Sequence, residues 1–208
     1  MNRSSIFLLT VFTYLSIGSV FVSVPLNAKA QDNYCPQKMT KEKIYKLAQS
    51  VKSEFFPSLS ENTFKIKEFK SSDYYLQLQS VFKNILVKEN KRQFTLNINT
   101  QLYECAPSDK ALIAILVHEF QHMEDFKLMS NEAFLNFGIR YLSNKKYHIE
   151  YERFTDLRAL NKGQSFGLIE YRNWIYLRLN KKDLKTKKKN YMTPEEIQKY
   201  DVNKQEKP

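Results

Sequence analysis

The order of hydrophobic and polar positions divides the chain into an apolar run near the start, a helix, several extended segments and a series of further helices. In the first helix, which Thr40 can cap, apolar residues recur at steps of three and four, and the repeat stops at Pro57. The extended segments instead alternate apolar and polar side chains with a period of two. This succession predicts an α+β fold.

Three extended segments predict a small, mainly antiparallel sheet. The first begins at Phe64 and the second at Tyr74. The third is a hairpin, in which residues 81–87 and residues 93–103 flank the polar turn at residues 88–92. Its second arm alternates apolar residues with Thr and Asn, so we expect one face to pack on the core and the other to meet water.

The most apolar helical stretch, residues 111–126, contains a His-Glu-x-x-His motif. A helix advances about 100° per residue, so His118 and His122 lie one turn apart on the same face. Two imidazoles placed in this way can bind one Zn²⁺, and Glu119 beside them can act as a general base. The alternative is a chance match on a core helix. Buried polar side chains need partners, however, and a metal ion supplies one.

A catalytic zinc site usually has a third protein ligand, and the candidates are His148, Glu150 and Glu152. We favour Glu152, because Asp156 follows it by one helical turn and can hold a zinc histidine by its second ring nitrogen. Glu150 has Phe154 at the equivalent position and lacks that support. The alternative for Glu152 and Asp156 is a solvated helix face paired with neighbouring arginines.

Taken together, His118, Glu119, His122, Glu152 and Asp156 resemble the gluzincin clan of zinc metallopeptidases, of which thermolysin is the familiar member. The resemblance implies a zincin-like fold, with a small sheet packed on an active-site helix and a glutamate helix. It also implies hydrolysis of peptides or proteins, with one Zn²⁺ per chain on the two histidines and Glu152, and with Glu119 as base.

Within this clan, the chain is similar to small exported bacterial minimal gluzincins. The similarity covers about residues 90–175. Thirty residues separate the second histidine of the motif from the glutamate, so an additional helix from about 130 to 147 is expected between them. The groups that stabilise the oxyanion therefore cannot be transferred from the family. Tyr171 and Arg172 are candidates, although packing or surface roles suit both residues as well.

Residues 1–30 have the layout of a secretory signal peptide. Arg3 precedes an apolar run from Ile6 to Val24, and Ala28-Lys29-Ala30 is a cleavage signal. We therefore predict export from a bacterial cell, to periplasm, envelope or medium. An uncleaved membrane anchor is the alternative, because about 20 apolar residues can cross a bilayer.

The remaining chain is divided into a metallopeptidase domain at residues 31–180 and a basic tail with a short helix at residues 181–208. Two cysteines, Cys35 and Cys105, permit one disulfide in an exported protein, with two free thiols as the alternative. Six lysines stand within residues 181–189, a run expected to be solvated, or to lie along a membrane surface, rather than ordered. Beyond it, Thr193 can cap a short helix.

The net charge of +11 favours anionic surfaces or acidic partners. The lysines are scattered and no nucleic-acid motif accompanies them, so we expect no nucleic-acid partner and at most a weak association with anionic membranes. An exported zinc metallopeptidase is the preferred function. The alternatives are a zinc-containing envelope protein that is inactive on peptides and a basic interaction protein with an accidental motif.

Overall fold

The computed structural model describes residues 35–80, 84, 86–88 and 91–205. The predicted signal peptide, residues 1–30, lies outside these ranges. Within them, no helix is both long and apolar enough to cross a membrane. The described chain is α+β, as predicted. In chain order its elements are α1 (Lys41–Phe55), β1 (Phe64–Phe69), β2 (Leu76–Ser80), β3 (Phe94–Asn99), α2 (Gln101–Glu104), α3 (Asp109–Leu128), α4 (Asn131–Ser143), α5 (Lys145–Asn161), α6 (Ser165–Tyr176), α7 (Lys181–Asn190) and α8 (Pro194–Gln205).

The three strands form a mixed sheet of order β1-β3-β2, which corrects the prediction of a mainly antiparallel one. β3 pairs parallel with β1, with Phe64 opposite Phe94, and antiparallel with β2, with Leu78 opposite Leu96. Strand direction alternates along the chain, and the third strand enters between the first two. The first and third strands are therefore neighbours that run the same way.

The partner of β3 is also not the predicted one. Residues 76–80, rather than residues 81–87, pair with β3. Of the predicted arm, residues 84 and 86 lie in 3-10 turns, and residues 81–83 and 85 lie outside the described part of the chain. β3 ends at Asn99 instead of continuing to Tyr103, because residues 101–104 turn into α2.

The polar face of β3 is buried rather than wet. Its apolar side chains lie in the core as predicted, but Asn97 and Asn99 are only 4% and 0% exposed. The Asn99 amide donates to the carbonyls of Ser71 and Tyr74, both at 2.7 Å. This side chain therefore fixes the loop that leads into β2, and the loop covers the face that was expected to meet water.

Local capping signals set the start of several helices correctly. The Thr40 side chain accepts a hydrogen bond from a backbone amide of α1, as predicted, and Ser108 caps α3 in the same way. The helix expected over residues 130–147 is divided in two, because Asn144 ends α4 and its side chain then caps α5. Thr193 and Glu196 bond reciprocally to each other's backbone amides in a capping box that starts α8.

A glycine allows α6 to approach α3 closely. A Cβ atom on Gly167 would collide with the carbonyl oxygen of Lys110 and lie 2.9 Å from the Cβ of Ala114. Real Cβ atoms do not come so near, so only glycine permits this contact. The close packing brings Arg172, one turn and a half further along α6, to the buried side of α3.

The lysine-rich segment is ordered, contrary to the prediction, and forms α7. Asn180 caps this helix by accepting from the amide of Asp183 at 2.9 Å. Five of its six lysines are exposed, whereas Lys187 is buried at 7% exposure. One side of α7 packs against α5, so the segment has a covered face despite its charge.

Candidate metal centre

Three side-chain atoms from two helices converge at the buried end of the His-Glu-x-x-His motif. α3 places His118 and His122 one turn apart, with their Nε2 atoms 3.2 Å from each other. α5 brings the Glu152 Oε2 atom to 3.2 Å from the His118 Nε2 atom and 3.6 Å from the His122 Nε2 atom. All three residues are less than 8% exposed. Such a group of nitrogen and oxygen donors could hold a metal ion.

The two other candidates for the third ligand lie elsewhere. Glu150 points to solvent and pairs with Lys146 at 3.7 Å, with 61% of its side chain exposed. His148 is half-buried, and its ring lies 4.2 Å from the ring of Tyr141, centroid to centroid. Of the three candidates on α5, Glu152 is therefore the one that lies next to the two histidines.

His118 is oriented by a fully buried ionic cluster. Its Nδ1 atom lies 2.9 Å from Asp156, whose carboxylate also accepts from Arg172 at 2.8 and 3.0 Å and from the Met192 amide at 2.8 Å. Burial would raise the pKa of Asp156, but the Arg172 guanidinium and His118 hold it below its usual value. An ionised carboxylate only accepts, so His118 carries its proton on Nδ1.

His122 is oriented by a second chain of polar groups. Its Nδ1 atom lies 3.0 Å from the Tyr151 hydroxyl, which donates its own proton to Asp125 at 2.8 Å. Arg158 in turn binds both Asp125 oxygens, at 2.5 and 2.6 Å. Because the tyrosine proton is already donated, the Tyr151 oxygen accepts from His122, which therefore also carries its proton on Nδ1.

These hydrogen bonds determine which nitrogen of each neutral imidazole can present a lone pair to the group. In the neutral rings, with Nδ1 protonated, the His118 and His122 Nε2 atoms have lone pairs, and the Glu152 Oε2 atom is a carboxylate oxygen. Three electron-rich atoms within 3.6 Å of each other repel unless a positive charge lies between them. The arrangement therefore favours a cation at this point.

The pKa values indicate the same preference for positive charge. Burial alone would lower the pKa of His118, but its hydrogen bonds with Asp156 and Glu152 raise it to about 10. Burial would raise the pKa of Glu152, yet the two histidines hold it well below its usual value. Without a metal ion, a proton on the histidine pair satisfies the carboxylates, and a bound cation can replace that proton.

The second oxygen of Glu152 is held by a tyrosine from the helix inserted between the two halves of the site. The Tyr141 hydroxyl on α4 donates to Glu152 Oε1. Burial raises the pKa of Tyr141 well above its usual value, so the hydroxyl keeps the proton that it donates. The carboxylate thus presents only its Oε2 atom to the histidines.

Glu119, the predicted base, is 7% exposed and faces the sheet edge at β2. Its Oε2 atom accepts from the backbone amide of Leu78 at 2.6 Å. Burial raises the pKa of its carboxyl above the usual value, although both histidines and the amide act in the opposite direction. A carboxylate with a raised pKa beside a cation site is suited to accept and return a proton.

The two candidates for oxyanion stabilisation have other partners. Arg172 is 3% exposed and is engaged with Asp156. Tyr171 is also 3% exposed and packs on Trp174, with ring centroids 6.0 Å apart. Within the described residues, no hydrogen bond joins either side chain to His118, His122 or Glu152. Arg172 therefore acts on the site by holding the carboxylate that orients His118.

A disulfide joins Cys35 and Cys105, across 70 residues of sequence. It ties the start of the described chain to the loop that precedes α3. Gln37 strengthens the same junction, because its side chain donates to the carbonyl of Pro107 at 2.7 Å and its backbone forms a bridge with Ala106. The covalent link therefore fixes the entry of the motif-bearing helix.

Sequence reasoning named Asp156, which contacts His118, but missed the other residues that support the candidate ligands. Asp125 had a local signal, since it follows His122 by three residues and so shares its face of α3. Tyr151 precedes Glu152 directly, but its role depends on the crossing of α3 and α5. Tyr141 and Met192 had no signal at all, because helix packing alone brings them to the site.

No family model matches the chain, and no curated protein or solved structure is detectably similar to it. The geometry of these residues is therefore the basis for assigning a function.

Proposed function

We propose that this chain is an exported zinc metallopeptidase of the gluzincin type, with a zincin-like arrangement of sheet, active-site helix and glutamate helix. The observation that carries the proposal is the convergence of three lone pairs, from His118, His122 and Glu152, beside the carboxylate-bearing Glu119. The cleavage signal at residues 28–30 and the disulfide support export, since disulfides persist in oxidising compartments.

The spacing of the three atoms suits zinc. A tetrahedral ion with bonds of about 2.0–2.1 Å sets its ligand atoms about 3.3 Å apart. The three edges of the observed triangle are 3.2, 3.2 and 3.6 Å. Two neutral imidazoles and one carboxylate also form the ligand set of catalytic zinc sites that keep a fourth position open.

The side chains around this position have separate tasks in peptide hydrolysis. When bound, Zn²⁺ supplies a Lewis acid and makes water a nucleophile near neutral pH. Glu119 accepts a proton from the attacking water as its oxygen forms a C–O bond with the peptide carbonyl carbon. Glu119 then delivers this proton to the amine nitrogen, and the C–N bond breaks. Asp156 and Tyr151 keep the two imidazoles in the tautomer that presents Nε2.

Replacing Glu119 by Gln tests the enzymatic part of the proposal. The amide keeps the size of the side chain but cannot accept the proton, so we expect cleavage of a mixed peptide library to fall by at least about 100-fold. Zinc content, measured on the same samples by atomic absorption, should stay near one per chain. Equal cleavage by wild type and Glu119→Gln would refute a role of Glu119 as base.

A matched pair on α5 tests the ligand assignment. Glu152→Ala removes one of three ligands, so we expect zinc affinity to fall by at least about 100-fold, beyond the 10–100-fold typical of supporting residues. Glu150→Ala, two residues away on the exposed side of α5, should leave affinity unchanged. Competition with a chromogenic chelator measures both, and the reverse order would exclude Glu152 as ligand.

A second candidate is a zinc protein of the envelope that does not cleave peptides. It is favoured by one observation: the ligands and Glu119 are less than 8% exposed, and Glu119 is occupied by the Leu78 amide. A substrate carbonyl must reach this region for hydrolysis. Under this alternative, wild type binds zinc but shows no cleavage that depends on Glu119.

A further inference from the structure

One buried lysine near the metal centre lacks the partner that such a charge normally has. Lys187 on α7 is 7% exposed, while the other lysines of the same helix face solvent. No ion pair or hydrogen bond joins its ammonium to another group in the parts of the chain described by the structure. Burying an ammonium without a close carboxylate is unfavourable, so the position calls for a role other than stability.

Two tyrosine rings hold the ammonium in place. The Lys187 Nζ atom lies 3.3 Å from the ring centroid of Tyr74 and 5.1 Å from that of Tyr191. The Tyr191 ring also lies 5.9 Å from the His118 ring. An ammonium between ring faces is stabilised by cation–π attraction and keeps its N–H donors available for another acceptor.

The segment that carries Lys187 is anchored to the same groups that orient His118. Directly after α7, the carbonyl of Tyr191 accepts from Arg153 at 2.9 Å, and the amide of Met192 donates to Asp156. The end of α7 is thereby fixed beside the metal ligands. The contacts that fix the end of α7, and with it Lys187, therefore come from residues of the site.

The charges around Lys187 place it within electrostatic reach of the site. Burial lowers its pKa to about 8, while Asp73, Glu152 and Glu119 favour its charged form and Arg172 opposes it. At neutral pH the side chain therefore remains an ammonium. It adds positive charge next to the point where peptide hydrolysis would develop negative charge.

We propose that Lys187 is a catalytic residue, whose ammonium donates a hydrogen bond to the substrate carbonyl oxygen as that oxygen becomes an anion. This role rests on the proposed function, because it requires hydrolysis at the His118, His122 and Glu152 site. Donors aimed at a developing oxyanion typically contribute 10²–10³-fold to kcat. Tyr74 and Tyr191 are positioning residues that hold the ammonium.

The test compares zinc-loaded wild type with Lys187→Met, Lys187→Arg and the control Lys185→Met, which removes an exposed lysine of the same helix. Zinc content should be the same in all four proteins, because Lys187 is not a ligand. Inorganic phosphate serves as a tetrahedral anion, and its affinity is measured by calorimetry. We expect Lys187→Met to weaken phosphate binding at least about tenfold, Lys187→Arg to retain part of it, and Lys185→Met to bind like wild type.

Kinetics and thermal stability separate a catalytic role from a structural one. On a cleaved peptide, Lys187→Met should lower kcat by about 100-fold or more, with KM changed less than about threefold. Its Tm should equal or exceed that of wild type, because an unpartnered buried charge is removed. Phosphate affinity equal to that of Lys185→Met, or a higher KM with unchanged kcat, would overturn the proposal.

The outcomes also separate this role from the proposed function. Cleavage abolished by Glu119→Gln but unaffected by Lys187→Met leaves the peptidase in place and removes Lys187 from it. Absence of Glu119-dependent cleavage in wild type removes both. A Tm lowered by more than about 6 °C in Lys187→Met, with phosphate affinity retained, assigns Lys187 to the core and overturns its catalytic role.

Discussion

The two histidines of the candidate metal centre share one helix, yet the protein supports them in different ways. On the His118 side, Asp156 and Arg172 have 0% and 4% of their side chains exposed. On the His122 side, Asp125 and Arg158 have 14% and 21% exposed. Both sides fix the same tautomer, but only the second can exchange its protein partners for water. The His118 side is therefore expected to carry more of the stability and the affinity of the site.

The largest difference should come from the same substitution made on each side. Asp156→Asn removes a buried charge and leaves Arg172 uncompensated, which typically costs about 3–5 kcal/mol of the free energy of unfolding. It should also lower zinc affinity by about 10–100-fold, because an amide, unlike the ionised carboxylate, can also donate to His118 and so no longer fixes its tautomer. Urea unfolding of the apo-protein and chelator competition measure the two effects.

Asp125→Asn is the control for that comparison. Water can reach Asp125 and Arg158, so we expect a loss of at most about 1.5 kcal/mol and less than a tenfold change in zinc affinity. Equal effects of the two Asp→Asn variants would contradict the distinction between the buried His118 side and the partly exposed His122 side.

A smaller effect is expected from Tyr151→Phe. This change removes one hydroxyl, which accepts from His122 and donates to Asp125. A hydrogen bond of this kind contributes about 0.5–1.5 kcal/mol, and a water molecule can replace it on this side. Zinc affinity should therefore fall by less than about tenfold in the same chelator assay. A loss larger than that of Asp156→Asn would reverse the assigned order of the two sides.

The smallest effect concerns pH and tests Lys187, which belongs to the His118 side. Its folded pKa of about 8 lies below the ordinary value of 10.5, so folding favours the neutral amine. Between these two values the unfolded chain binds more protons at this lysine, so the contribution of Lys187 to stability rises with pH. The excess Tm of Lys187→Met over wild type should be largest near pH 7 and should shrink towards pH 9.5.

Groups common to both proteins cancel in that difference, which isolates Lys187. Lys185→Met, at an exposed position of the same helix, should show no comparable change between pH 7 and pH 9.5. A Tm difference for Lys187→Met that stays constant over this range would show that Lys187 is not buried as an ammonium.

Local features of the fold were predictable because their causes are local. Thr40 and Thr193 cap helices as expected, since a cap depends on residues within one turn. The failures lie where distant segments meet. The parallel pairing of β1 with β3 joins strands about thirty residues apart, and no pattern within either strand specifies its neighbour.

The lysine-rich segment shows why composition misled the prediction. A run of six lysines favours solvation on average, but Asn180 caps a helix there. The face of this helix that carries Lys187 is covered by α5 and by Tyr74, in the loop that leads into β2. Charge density is a property of the sequence, whereas the side on which one ammonium lies depends on how the helix is docked.

By itself, the sequence determined the motif-bearing helix and the shared face of His118 and His122, because the α-helix has a fixed period of 3.6 residues. It also ranked Glu152 above Glu150 by the carboxylate one turn later. Tertiary structure alone decided which side of α5 meets α3, and thus joined Glu152, Tyr151 and Asp156 to the histidines. The crossing of two helices depends on packing across the whole core, and a local repeat cannot encode it.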